Sequence, residues 1–142
     1  MDIKNKNEAE IRKTIIDADV VLVAGGDTFY LMEKIKESGT DKVIKEFIDR
    51  NGVYIGSSAG SIVCCPTIEG AEEFDNPSLA PKLDNFDGMG IFEDVIIPHA
   101  HKEKYFERVR RAAEKLNRKG YKVHLLTDDE VLFFDGDSSV IL

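Results

Sequence analysis

The sequence predicts an α/β fold built on a doubly wound, mostly parallel sheet and closed at its C-terminal end by a β-hairpin. Three observations carry that prediction. Helical and strand-like patterns follow one another as α-β-α-α-β-α through Cys64, the order of a doubly wound sheet. The run VVLVAGG from Val20 is almost continuously apolar, as suits a parallel strand covered on both faces. Residues 53–63, VYIGSSAGSIV, read as strand, tight turn and helix start.

Taken in order, residues 8–16 form a short helix with Ile11, Ile15 and Ile16 on one side. The VVLVAGG strand ends at Gly25-Gly26-Asp27-Thr28, and Phe29 to Ser38 is a helix stopped by Gly39. A second helix spans Asp41 to Arg50, with Val43, Ile44, Phe47 and Ile48 as its apolar stripe. After the 53–63 unit, Pro66 to Gly90 is rich in Pro, Gly, Asp and Asn, without a sustained period. A loop of that length inside a compact domain is functional or mobile as a rule. Asp94 to Ile97 is a short strand leading into Pro98-His99-Ala100-His101. Lys102 to Lys119 is the strongest helix, with Tyr105, Val109, Ala112, Ala113 and Leu116 on one face and Gly120 just past its end. YKVHLL, EVLFFD and SSVIL complete the chain as strands, the last two joined in a hairpin at Asp135-Gly136-Asp137.

A chain of 142 residues with 42% apolar and 32% charged residues suits one globular domain over 1–142. No apolar run is long enough to span a bilayer. The polar N-terminus has neither a signal nor a transit pattern, so the cytoplasm is the expected location. The net charge of −8, from 27 acidic against 19 basic residues, argues against nucleic acid and anionic membranes as partners. The basic cluster from Lys102 to Arg111, with Arg118 and Lys119, reads as a solvated helix face. The two cysteines are the adjacent Cys64 and Cys65, expected to be small buried residues rather than a disulfide.

Chemistry concentrates at Gly56-Ser57-Ser58-Ala59-Gly60. Glycine two residues before and two after a serine, between strand and helix, is the G-x-S-x-G nucleophile elbow. The flanking residues must lack a Cβ for strand and helix to pass closely, and only Ser58 satisfies that frame. The Ala59 N–H, at the helix start, is a candidate oxyanion donor. A turn that only joins strand to helix would carry the same five residues, and the flanking elements favour the elbow.

A serine nucleophile needs a base, and the base an orienting acid. Of the three histidines, His124 alternates within YKVHLL and reads as packed or surface. His99 and His101 sit at a strand's C-terminal end, where open α/β sheets keep their sites. A metal pair at His99 and His101 is disfavoured, because no cysteine or third histidine completes a ligand set. For the acid, the irregular stretch offers Glu69, Glu72, Glu73 and Asp75, and the last strands offer Asp128, Asp129 and Glu130. Spacing alone does not choose among them. The Gly25 to Thr28 turn could supply a second oxyanion donor, with Asp27 or Thr28 also capping the following helix.

Together VLVAGGDTFYLMEKI, YIGSSAGSIV and VIIPHAH, in this order and spacing, resemble the peptidase E (α-aspartyl dipeptidase) and cyanophycinase family of serine peptidases. The resemblance runs through nearly the whole chain. It implies a class-I-glutamine-amidotransferase-like (flavodoxin-like) three-layer α/β sandwich. It further implies Ser58 as nucleophile, His99 as general base, and Asp75 as the acid, with Glu130 as the alternative. Gly26 and Ala59 would form the oxyanion hole. Asp27 stands where the family commonly has asparagine. Members of the family usually carry about two more β-α units before the first motif, so the chain reads as N-terminally truncated beside the strands that bear the site. An open apolar edge of that kind is expected to be covered by self-association, as a dimer, the alternatives being a fragment or a degenerate paralogue.

The expected function is hydrolysis of small peptides, Asp-X dipeptides foremost, through an acyl-enzyme and without metal or organic cofactor. The alternatives are an esterase or amidase on the same elbow, and a non-catalytic relative that binds a partner or ligand.

Overall fold

The computed structural model describes residues 1–142 except Asp137, so that part of the predicted Asp135-Gly136-Asp137 turn lies outside the described residues. Helix α1 (Glu8–Ile15) starts at Asn7, whose side chain accepts from the Glu10 N–H while the Glu10 carboxylate accepts from the Asn7 N–H. This reciprocal capping satisfies two otherwise unpaired donors and lets α1 bury Ile11 and Ile15. Strand β1 (Val20–Val23) leads into α2 (Thr28–Ser38), capped by Asp27 and ended by Gly39 at φ 72°. Helix α3 (Thr40–Asp49) buries Val43, Ile44 and Phe47 against this layer.

Strand β2 (Val53–Gly56) pairs parallel with β1, Val20 opposite Val53 and Val23 opposite Gly56, and feeds α4 (Ala59–Val63). Strand β3 (Val95–Ile97) pairs parallel with β4 (Val123–Leu125), with α5 (Phe106–Arg118) as the crossover between them. Strands β5 (Leu132–Asp135) and β6 (Ser138–Ile141) form the expected antiparallel hairpin. The fold is therefore α/β with parallel strands, but among the described residues its hydrogen bonds join three two-stranded pairs rather than one continuous sheet. Helix α4 and the chain after it bridge the two parallel pairs. The Ile96 N–H of β3 donates to the buried Cys65 sulfur, and residues 88–92 hydrogen-bond back along 63–66.

Two expectations need correction. Strand β1 is covered on one face only. Val21 and Val23 pack on the core, while Val20 and Leu22, with Val53 and Ile55 of β2, remain 48–64% exposed. The 66–90 stretch is not an open loop. It contains two 3-10 turns, Glu69–Glu73 and Pro77–Leu79, and buries Ile68, Ala71, Ala80 and Met89. Its first turn is pinned to α5 by Arg111–Glu73 at 2.8 Å and by the pairs Lys115–Glu72 and Lys119–Glu69. These basic residues thus face an acidic partner surface rather than solvent alone. Among the described residues no helix is long and apolar enough to cross a membrane.

Candidate active site

The chain reverses from β2 into α4 within a few residues, and Ser58 takes the strain. Its backbone sits at φ 53°, ψ −116°, a region unfavourable for any residue with a Cβ. The flanking glycines explain how this is tolerated. A Cβ on Gly56 would lie 2.6 Å from the Gly60 carbonyl oxygen, and one on Gly60 would lie 2.0 Å from the Val23 carbonyl oxygen. Strand, helix and neighbouring strand are in backbone contact here. The Ser58 carbonyl accepts from the Ser61 and Ile62 N–H groups and from the Ser61 hydroxyl. The Tyr54 hydroxyl donates to the Gly60 carbonyl at 2.6 Å, and burial pushes that phenol above its usual range.

His99 emerges from β3 after Pro98 with φ 63°, an uncommon left-handed conformation for histidine. Its Nε2 lies 3.0 Å from Ser58 Oγ, and its Nδ1 lies 2.5 Å from Asp128 Oδ1. An ionised carboxylate only accepts, so Nδ1 carries the proton, and Nε2 is left to accept from the Ser58 hydroxyl. The same carboxylate receives Lys102 Nζ on Oδ2 at 2.8 Å, with His101 Nε2 at 3.9 Å. Lys102 first, then His99, hold the Asp128 carboxyl down to about 2, so it is ionised at neutral pH. Its position follows from the β3–β4 register. Leu126 N–H donates to Ile97 and Ala100 N–H to Leu126, which carries the chain after β4 alongside His99.

Ser58 and His99 are therefore brought together, and Asp75 is not part of that group. Asp75 Oδ2 accepts from the Thr28 N–H at 3.0 Å and the Thr28 hydroxyl at 2.6 Å. It follows the 3-10 turn pinned to α5 and meets the start of α2, whereas the carboxylate on His99 is Asp128. The alternative, Glu130, folds back to accept from the Thr127 N–H at 2.8 Å, and that hydrogen bond holds its carboxyl below the usual range. Glu69, Glu72 and Glu73 are taken by α5. His124 lies 2.7 Å from Asp94 and packs beside Phe92. Lys102, which directly follows the VIIPHAH motif, joins the site through Asp128. The pairing of β3 with β4 was the signal that would have favoured Asp128, since parallel neighbours present their C-terminal ends together.

Gly25 packs on Ser58, for a Cβ there would lie 3.0 Å from Ser58 Cβ. Gly26 follows at φ 149°, and Asp27 caps α2 by accepting from the Tyr30 N–H at 2.9 Å. Ala59 is the first residue of α4, where an N–H has no acceptor within the helix. Among the described residues no three metal-ligating side chains converge.

A strained elbow serine hydrogen-bonded to a histidine, itself hydrogen-bonded to a carboxylate, is the arrangement of the serine hydrolases. The profile of Peptidase family S51 matches residues 1–142, and the chain belongs to that family. It is 29% identical over 132 residues to an uncharacterized peptidase of Listeria innocua, covering 93% of this chain and 63% of that protein. It is 41% identical over 85 residues to peptidase E of Citrobacter koseri, covering 60% of this chain and 35% of that one. A crystal structure from Listeria monocytogenes EGD-e, of a protein with a provisional peptidase E name, superimposes with TM-score 0.90 at 27% identity. That match covers all of this chain and 68% of the other. The chain thus spans 63% of the length of its Listeria innocua relative.

Proposed function

We propose that the chain is a serine-type peptidase acting on small peptides through an acyl-enzyme. Ser58 Oγ attacks the peptide carbonyl, and His99 Nε2 accepts its proton and returns it to the leaving amine. Asp128 fixes the imidazole tautomer and stabilises the imidazolium. Gly26 and Ala59 N–H groups are the proposed donors to the oxyanion of the tetrahedral intermediate. The observation that carries this reading is the continuous chain Ser58 Oγ, His99 Nε2, His99 Nδ1, Asp128 Oδ1, with contacts of 3.0 and 2.5 Å. Asp-X dipeptides are the first substrates to try, given the peptidase E name of relatives and the cation Lys102 beside Asp128.

The same reading extends to assembly. In relatives of greater length, further strands and helices would lie against this sheet and complete a three-layer sandwich. Here the exposed Val20, Leu22, Val53 and Ile55 face is proposed to be covered by a second copy.

The test is to expose the folded protein to a fluorophosphonate, locate any adduct by mass spectrometry, and compare Ser58→Ala. A single adduct on Ser58, with cleavage of Asp-X dipeptides, is expected. A folded protein that takes no adduct would overturn the reading. Faster turnover of a chromogenic acetate ester than of any dipeptide would make it an esterase instead.

A further inference from the structure

Asp75 has no place in the proton relay, yet its environment is specific. One oxygen, Oδ2, accepts both the backbone N–H and the hydroxyl of Thr28, a fully buried residue. The next residue returns the contact, since the Asn76 N–H donates to Asp27 Oδ2 at 3.2 Å. Asp27 meanwhile caps α2 with its other oxygen. The two segments are thus cross-linked reciprocally, across a separation of 47 residues between Thr28 and Asp75. What lies on the far side of Thr28 gives this its meaning. Gly25 and Gly26 immediately precede the clamp, and Gly25 packs on the β-carbon of Ser58. Both glycines are exposed to solvent, and Gly26 has φ 149°, so the turn has little else to define its conformation.

We propose that Asp75 is a positioning residue that acts through Thr28 on the Gly25-Gly26 turn, holding the Gly26 N–H where an oxyanion forms beside Ser58. The inference rests on the hydrolytic reading above. Asp75 touches neither the nucleophile nor the base. It fixes the donor side of the site as Asp128 fixes the base side. Its contribution belongs to the transition state, because a tetrahedral oxyanion needs the donor closer than a bound carbonyl does.

The test uses Asp75→Ala and Asp75→Asn in the full chain, with fluorophosphonate inactivation resolved into its maximal rate and its half-saturating concentration. Loss of one oxyanion donor lowers rates about 10²–10³-fold, and a displaced donor retains part of its effect. For Asp75→Ala a fall of roughly tenfold to a hundredfold in maximal rate is expected, with half-saturation unchanged within about twofold. An asparagine side chain keeps an oxygen that can accept from Thr28, so Asp75→Asn should recover most of the rate. A residue that merely caps α2 would lower thermal stability and leave the rate of the folded protein alone. The second measurement is amide hydrogen exchange in the peptide spanning residues 24–28, which needs no activity. Faster exchange in folded Asp75→Ala together with the slower maximal rate supports the proposal. Unchanged exchange, or faster exchange with an unchanged rate, overturns it. A wild-type protein that takes no adduct sinks the hydrolytic reading instead, and unchanged exchange in Asp75→Ala would then overturn the clamp as well.

Discussion

Replacing Asp128 by asparagine tests the site at its most informative atom. The wild-type carboxylate serves two donors at once, His99 Nδ1 on Oδ1 at 2.5 Å and Lys102 Nζ on Oδ2 at 2.8 Å. An amide offers one oxygen and one NH₂. The Lys102 ammonium can only donate, so the amide oxygen turns toward it and the NH₂ faces His99. Nδ1 must then accept, its proton moves to Nε2, and the ring points a donor at Ser58 where a base is needed. In a buried triad the same exchange lowers kcat about 10⁴-fold. Asp128 here is 39% exposed, so water lets the ring recover part of the productive arrangement. We therefore expect a loss of roughly 10²–10³, or about 2.7–4 kcal/mol in the barrier. The assay is the rate of Ser58 phosphonylation by intact mass. Lys102→Met added to Asp128→Asn frees the amide to flip and should restore part of the loss, while Glu130→Gln should change the rate less than about twofold. Phosphonylation of Asp128→Asn within about threefold of wild type would refute the assignment of Asp128.

Gly60→Ala places a methyl 2.0 Å from the Val23 carbonyl oxygen, and because both sides are backbone the structure must open. A loss of at least about 3 kcal/mol is expected in denaturant unfolding, and a loss below about 1 kcal/mol would contradict the close approach. The Asp128 carboxyl is depressed to about 2, so its stabilising effect is complete above the ordinary carboxylate range and fades as pH falls toward 2. In Lys102→Met the Asp128 midpoint, followed by carbon NMR, should rise toward the ordinary range; an unmoved midpoint would show that Lys102 is not its main partner. The α5 pairs Arg111–Glu73, Lys115–Glu72 and Lys119–Glu69 are partly solvated, so neutralising any one should change stability by less than about 1 kcal/mol. Their effect should fade in high salt, and a salt-independent loss would point to packing instead. Leu22→Glu, on the exposed β1 face, should weaken self-association in sedimentation without lowering monomer stability. Equal sedimentation of both proteins as monomers would remove that proposal.

What the sequence made legible was local. The elbow at Gly56 to Gly60, the Asp27 cap and the Gly39 stop each depend on a few neighbouring residues with steric or hydrogen-bonding requirements that only certain side chains meet. His99 and His101 were legible together as imidazoles at the end of an apolar strand, and the resemblance alone singled out His99. Asp128 and Asp75 both stood among the acids that spacing left open, and the resemblance alone pointed to Asp75. Their difference lies in which strand lies beside β3 and what packs on α5, and neither is encoded within a few residues. The single covered face of β1 was illegible for the same reason. Val20 to Val23 has the composition of a doubly covered strand, and composition does not say which partner supplies the second cover.

Ser58 and His99 stand on separately hydrogen-bonded strand pairs, Ser58 after β2 and His99 after β3, with Asp128 following β4. The 3.0 Å contact between Ser58 and His99 therefore spans a seam. A chain made from its N-terminus completes the β1–β2 pair and its elbow well before β4 exists to place Asp128. Until then Ser58 has its strained turn but no oriented imidazole beside it. The Ser58–His99–Asp128 arrangement therefore forms only when the two pairs dock, after β4 has been made.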